Sequence, residues 1–364
     1  MSDEKGKEKE KEKEKDKDVK RNKSLKKTNT KMEPDKDMKS KKEIERININ
    51  DFDFYEKIGK NDYGYHKICK NKITNKIFSM KILKKCDILQ SKIIEHLLSE
   101  FNILSSIYHP FITELKGINT KDPSSLYLLF ELVQGGDLNS LLDVKKQIPL
   151  EQAKFYTASI ITVLEYLHKK NILHRNLKPE NILIAQDGYI KISNFSYAKQ
   201  LKNDYTYTFC GTPEYCPPEM INKTGHNKGC DYWSLGILLY EMLVGITPFV
   251  DTDPMKIYQK INKCKLIIPK YFNENTKILI KRLLAIDPKK RLGCLEKGIY
   301  DIISHPFFDD FDWKGLLFKT LEPPYVPNIS GPTDISNFKK INDHYYDDGE
   351  MPIDKDKDPF YNWT

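Results

Sequence analysis

The apolar residues of this chain change their spacing at one point, and that change limits the folds open to it. From about Asp51 to Leu83 they come in short runs broken by Gly and Asn, as in FYEKIGKNDYGYHKICKN and KIFSMKILKK, which predicts a β-meander. SKIIEHLLSEFNILSSI carries apolar residues at 93, 94, 97, 98, 101, 103, 104 and 107, a helical spacing. Strands are expected near 111–117 and 126–133. After QGGDL (134–138) the spacing turns helical, with candidate helices at 137–143, 151–170, 228–245 and 275–285. The expectation is an α+β architecture: a small β-rich lobe over 52–133 joined to a larger helical lobe over 134–308, with a hinge near 131–136. Beyond SHPFF (304–308) the chain is rich in Pro and Asp with scattered aromatics, so 309–364 reads as an extended tail laid over the domain.

Residues 1–51 read differently. Residues 1–46 hold 18 Lys and Arg against 13 Asp and Glu, with almost no apolar side chains. Nothing there offsets the entropy lost on ordering, so a disordered charged tail is expected. This tail carries five of the eight net positive charges, and the nearly balanced remainder is no nucleic-acid signature. Seven cysteines, none in a C-x-x-C pair, argue for reduced thiols in an intracellular, cytoplasmic setting. The most apolar run, DYWSLGILLYEMLVGITPF, contains Asp231 and Glu241 and is too short to span a bilayer. With no secretory leader and no glycine after Met1 for myristoylation, a soluble chain is expected.

Five segments follow one another in a fixed order: IGKNDYGYHK (58–67), FSMKIL (78–83), HRNLKPEN (174–181), ISNFS (192–196) and FCGTPEYCPPE (209–219), ahead of DYWSLGILLYEM (231–242). In that order and spacing they resemble a protein kinase of the AGC group. GTPEY, SLGILLYEM and GPTDISNF bring residues 52–340 closer to the cAMP-dependent catalytic subunits. The resemblance implies a bilobal protein-kinase fold with an AGC-type C-terminal tail. It also implies ATP with Mg²⁺ or Mn²⁺, basic Ser/Thr peptides as substrates, and a cAMP-binding regulatory subunit as partner.

Mapped onto this sequence, the resemblance puts Gly59 and Gly64 in the loop over the ATP phosphates, although Asn61 stands where a middle glycine belongs and a plain hairpin turn would also explain Asn-Asp. Lys81 would grip the phosphates and pair with Glu100. His66, Ser79, Glu131, Val133, Leu183 and Phe338 would surround the nucleotide. A valine and an alanine are expected where His66 and Ser79 stand; these polar side chains either weaken purine stacking or bond to neighbouring backbone. Lys178 would approach the γ-phosphate, with Asn181 and Asn194 at the metal positions. Arg175, His96 and Lys199 would receive a phosphate on Thr208, and Thr212 would steady the catalytic loop. Asp231 and the Glu219–Arg291 pair would hold the large lobe. Asp137, Glu180 and Glu241 would read arginines of a peptide, though the two glutamates also have structural readings. Tyr207 and Tyr258 would face the regulatory subunit or serve local packing. Phe360 and Trp363 of DPFYNWT would dock beside the 93–107 helix, while Ile341 replaces an expected tyrosine.

Two departures bear on function. The catalytic aspartate of the family is Asn176 here, and a neutral amide orients a hydroxyl but does not take its proton. The metal-clamping aspartate is Asn194, followed by Phe195 and Ser196 in place of Phe-Gly. Magnesium prefers carboxylates and phosphates. The main expectation is therefore a pseudokinase that binds nucleotide weakly and engages basic peptides or a regulatory subunit. The alternative is a Ser/Thr kinase of low rate or unusual metal use, with Asp204 as a conceivable substitute carboxylate.

Overall fold

A computed structural model describes residues 44–61, 64–91, 93–339, 352–361 and 363. The expected tail before residue 44, and Ile341, lie outside the described residues. Strands β1 (Glu45–Arg46), β2 (Phe52–Asn61), β3 (Gly64–Asn71), β4 (Ile77–Lys84), β5 (Leu115–Asn119) and β6 (Ser125–Glu131) form one sheet in the order β1-β5-β6-β4-β3-β2. β2 to β6 pair antiparallel, whereas β1 runs parallel to β5. Alternation along β4 sends Met80 and Ile82 into an apolar layer with Phe52, Cys69 and Leu129. Ser79, Lys81 and Leu83 consequently face the other side, where Leu83 packs with Leu97 and Phe101 of helix α2 (Ile94–Ser106). A short helix, α1 (Lys85–Gln90), joins β4 to it.

The longer helices of the helical half are α3 (Leu138–Lys145), α4 (Leu150–Lys169), α5 (Gly229–Val244), α6 (Pro254–Lys263) and α7 (Glu274–Leu283). Asp137 caps α3 by accepting a hydrogen bond from the Ser140 amide at 2.7 Å. In α5, Trp233, Leu235, Ile237, Leu238 and Leu239 are fully buried, so its all-round apolar character is that of a central helix. No helix among the described residues is long and apolar enough to cross a membrane. Two strand pairs, β7 (Ile172–Leu173) with β10 (Lys199–Gln200) and β8 (Ile182–Ile184) with β9 (Ile190–Ile192), bracket the loop 174–181 and present it to the cleft. The architecture is the α+β, two-lobed protein kinase fold.

The structure departs from the sequence-based expectation in three places. The strand expected at 111–117 starts at Leu115; Phe111 and Ile112 instead plug into the large lobe, where Ile112 bridges Ile192. Helices α1 and α6 are additional to those expected. Residues 44–51, expected in the charged tail, belong to the fold. The Ile47 amide donates to Ile118 O at 3.1 Å, Asn119 Nδ2 donates to Ile47 O at 2.8 Å, and Ile47 is buried. Gly117 makes room for this strand, since a Cβ there would lie 2.7 Å from Ile47 Cγ2 and 3.0 Å from Glu45 O. Gly117→Val should expel β1 and cost about 1–3 kcal/mol of overpacking. Hydrogen exchange checks this: unchanged protection of the Ile47 amide would show that β1 does not depend on that gap.

From 309 to 339 the chain runs over the domain and reaches the hinge. Tyr189 Oη donates to Leu321 O at 2.7 Å, and Gln134 Nε2 donates to Gly331 O at 2.9 Å. Gly136, at φ 76°, lies where a side chain would strike Asn337 O, so the hinge and the tail meet backbone to backbone.

Candidate functional site

The cleft is built around Lys81. Its buried ammonium donates to both Glu100 oxygens, at 2.8 and 3.0 Å, joining β4 to α2. In register, His66 on β3 lies between Gly59 on β2 and Lys81 on β4, with its ring 6.4 Å from that of Phe130. Burial, helped by the Lys81 charge, lowers the His66 pKa to about 3, so the ring is neutral. Gly64 lies opposite Leu83, and Ser79 is buried opposite Phe130. At the hinge, Glu131 accepts from the Glu114 amide at 2.8 Å and from Lys191 Nζ at 2.7 Å, a tie between the lobes. Val133 is buried, and Leu183 forms a backbone bridge with Asp137. Phe338 follows Asn337, which abuts Gly136.

The loop 174–181 is anchored from below. Fully buried Asp231 accepts from the backbone amides of His174 at 3.1 Å and Arg175 at 2.8 Å, and bonds His168 Nε2 at 2.8 Å. Burial pushes its pKa up, but these hydrogen bonds and the neighbouring histidines outweigh that and hold it below the ordinary value. His174 packs edge-on against fully buried Phe195, with ring centroids 5.0 Å apart.

Two asparagine side chains and the backbone carbonyl of a third form a chain of hydrogen bonds. Asn181 Nδ2 donates to Asn176 O at 2.7 Å, and Asn194 Nδ2 donates to Asn181 Oδ1 at 3.1 Å. Ser196 Oγ donates to Asn194 Oδ1 at 2.6 Å. Asn194 has φ 57°, a left-handed conformation that Asn tolerates. Lys178 lies 3.8 Å from Glu180, a loose pair.

A group of acids lines the region beside this loop. Glu241 accepts a hydrogen bond from Tyr215 Oη. Burial first, then the charges of Glu180 and Glu214, raise its pKa to about 7 despite that bond. Glu214 and Asp137 are raised as well, mainly by burial and further by Glu180. Glu214 joins this acidic group and is missed by sequence reasoning, although it lies inside the quoted FCGTPEYCPPE.

The protein kinase domain profile matches residues 52–308. The chain belongs to the protein kinase family. The human cAMP-dependent protein kinase catalytic subunit PRKX is 39% identical to this chain over 315 residues, 86% of this chain and 87% of that protein. The Drosophila melanogaster cAMP-dependent protein kinase catalytic subunit 3 is 41% identical over 293 residues, covering 80% of this chain and 50% of its own. The Dictyostelium discoideum cAMP-dependent protein kinase catalytic subunit is 43% identical over 306 residues, covering 84% and 46%. The chain thus spans about half the length of the fly and Dictyostelium proteins it matches.

Protein kinases use ATP with magnesium, and the two requirements fare differently here. Lys81 and Lys178 suit the triphosphate. The clamping position does not suit a hard cation, because Asn194 Oδ1 is neutral and already accepts from Ser196, while Asn194 Nδ2 covers the oxygen of Asn181. Among the described residues no group of three or more His, Cys, Asp or Glu side chains could hold a metal ion.

Arg175, Lys199 and Thr206 gather around His226. Arg175 Nε donates to Tyr197 O at 2.7 Å and Lys199 Nζ to Thr206 Oγ1 at 2.9 Å, while Thr206 pairs with His226 through its backbone. Arg175 Nη1 and His226 Nε2 are buried without a hydrogen-bond partner. Thr208 and His96 are both exposed. Thr212 precedes the turn 213–215, and Asp204 is exposed. Tyr207 is exposed and lies against Gly225, and Tyr258 meets Phe209 edge-on at 6.0 Å. At the C-terminal end Phe360 is fully buried, and Trp363 stacks on Phe101 at 6.1 Å. Asp358 pairs with buried Lys85 at 2.5 Å, and Arg46 donates to Trp363 O.

Proposed function

We propose that this protein is a signalling kinase-fold protein of the cAMP-dependent type that binds nucleotide and arginine-rich peptides while its phosphoryl transfer is disabled. The observation that carries this is that Asn176 and Asn194 stand where proton acceptance and metal clamping call for carboxylates, with Asn194 Nδ2 already bonded to Asn181 Oδ1. Peptide binding rests on Asp137, Glu180, Glu214 and Glu241, and docking of a cAMP-binding regulatory subunit on Tyr207 and Tyr258. Thr208, on the segment that gathers Arg175 and Lys199, is the proposed phosphorylation site. Seven free cysteines fit a reducing, cytoplasmic setting.

The second reading is a working Ser/Thr kinase of low rate or unusual metal use. The intact Lys81–Glu100 pair favours it, and so do the names of the relatives, all catalytic subunits. The deciding measurement is transfer from labelled ATP to an Arg-rich serine peptide, with magnesium and with manganese, beside Lys81→Ala. Transfer that disappears in Lys81→Ala establishes the second reading; no transfer under any condition establishes the first.

Peptide affinity should depend on pH. A guanidinium stabilises the Glu241 carboxylate, so binding must expel the proton that this group holds below about pH 7. Affinity should therefore rise with pH up to about 7 and level off above it. Glu241→Gln should weaken binding and flatten that rise. A slope that persists in Glu241→Gln would assign the proton to Glu214 or Asp137.

A further inference from the structure

We infer that this site takes its nucleotide as a bare triphosphate, without a divalent ion. The inference rests on the reading that nucleotide binds at Lys81, and it goes beyond that reading by naming the ionic form of the ligand.

The argument starts from the inventory of lone pairs and protons. A side-chain amide offers one acceptor oxygen and two N–H donors. The two side-chain amide oxygens are engaged, Asn181 Oδ1 by Asn194 and Asn194 Oδ1 by Ser196. A cation entering between Asn181 and Asn194 would have to turn an N–H out of its way and break the 3.1 Å bond. A phosphate oxygen would break nothing. Asn194 Nδ2 has one proton committed to Asn181, and its second is available to an anion; Asn194 is itself exposed to the cleft.

Charge points the same way. A carboxylate at the metal positions repels a naked triphosphate, and the metal is what reconciles the two. With Asn at position 194 that repulsion is absent. Glu100 is neutralised by Lys81, and Glu180 lies 3.8 Å from Lys178. The neutral His66 adds no negative charge. The phosphate side of the cleft therefore presents ammonium and amide N–H groups to an anion that carries its full charge when metal-free. Magnesium that complexes ATP in solution removes part of that charge and weakens the attraction to Lys81 and Lys178.

The test is the rise in melting temperature of the full chain on adding ATP in EDTA or in excess magnesium, with adenosine alongside and Asn194→Asp as the comparison. The expected result is a shift with ATP in EDTA at least as large as in magnesium, and larger than that with adenosine. In Asn194→Asp the dependence should reverse, with binding in EDTA weaker by about tenfold or more than in magnesium. A shift in the native protein that requires magnesium overturns the inference and leaves nucleotide binding standing. Equal shifts with adenosine and ATP overturn it by showing that the phosphates are not engaged. No shift with any ligand overturns both the inference and the nucleotide-binding reading.

Discussion

Replacing Asn176 and Asn194 together by aspartate should raise phosphate transfer to an Arg-rich serine peptide by about 10²–10⁴-fold or more, the range that a general base alone supplies. The two changes address different deficits. Asn176→Asp restores a proton acceptor on a loop already anchored by Asp231 through the His174 and Arg175 amides, so the new carboxylate is held in place from the start. Asn194→Asp removes the N–H that now bonds Asn181 Oδ1, leaving two oxygen ligands facing each other and a negative charge that calls for a cation. Each single change should recover less than the pair, because charge neutralisation and proton removal act in the same transition state. Initial rates with magnesium measure the effect. A double variant no more active than the native chain would move the deficit to the nucleotide roof at His66 and Ser79.

The largest loss of stability is expected from Glu219→Ala. Arg291 is fully buried, with Nη1 and Nη2 donating to the two Glu219 oxygens at 2.7 and 2.9 Å. Its remaining donors reach Gly229 O at 2.9 Å and Ala285 O at 3.1 Å, and the guanidinium lies over Trp233. Removing the carboxylate leaves a buried cation whose backbone partners cannot neutralise it, at a cost of about 3–5 kcal/mol. Denaturant unfolding measures this. Removing both partners, as Glu219→Leu with Arg291→Met, should cost less than Glu219→Ala because no charge is stranded. By contrast Lys154→Ala, which breaks the Glu151–Lys154 pair at 3.3 Å with Glu151 largely exposed, should change stability by about 1 kcal/mol or less. If Glu219→Ala proves as mild as that, water must reach Arg291.

The two-lobed fold is legible because each half has its own apolar period, and because Lys81 and Glu100 lie on elements whose lengths are readable from the sequence. Other features depend on distant partners. β1 sits in a Lys- and Glu-rich context, and only Gly117, far along the chain, shows why Ile47 can be buried there. Phe111 and Ile112 look like strand residues, but they are claimed by Ile192 and the large lobe. In the site, residue types are readable and hydrogen-bond directions are not. Nothing in HRNLKPEN or ISNFS says that Asn194 donates to Asn181 instead of accepting. His226 carries no signal, since its orphaned nitrogen is visible only once Arg175 is placed near it.

Trp363 stacks on Phe101, the neighbour of Glu100, and the chain holds three tryptophans. Trp233 lies in the core against Phe249, and Trp313 sits among Phe308 and Phe311. With those two changed to phenylalanine, the remaining indole would be an optical gauge mounted on α2. Its emission would redden whenever that helix swings away and carries Glu100 off Lys81, so the engagement of the small lobe could be followed in real time without attaching a dye.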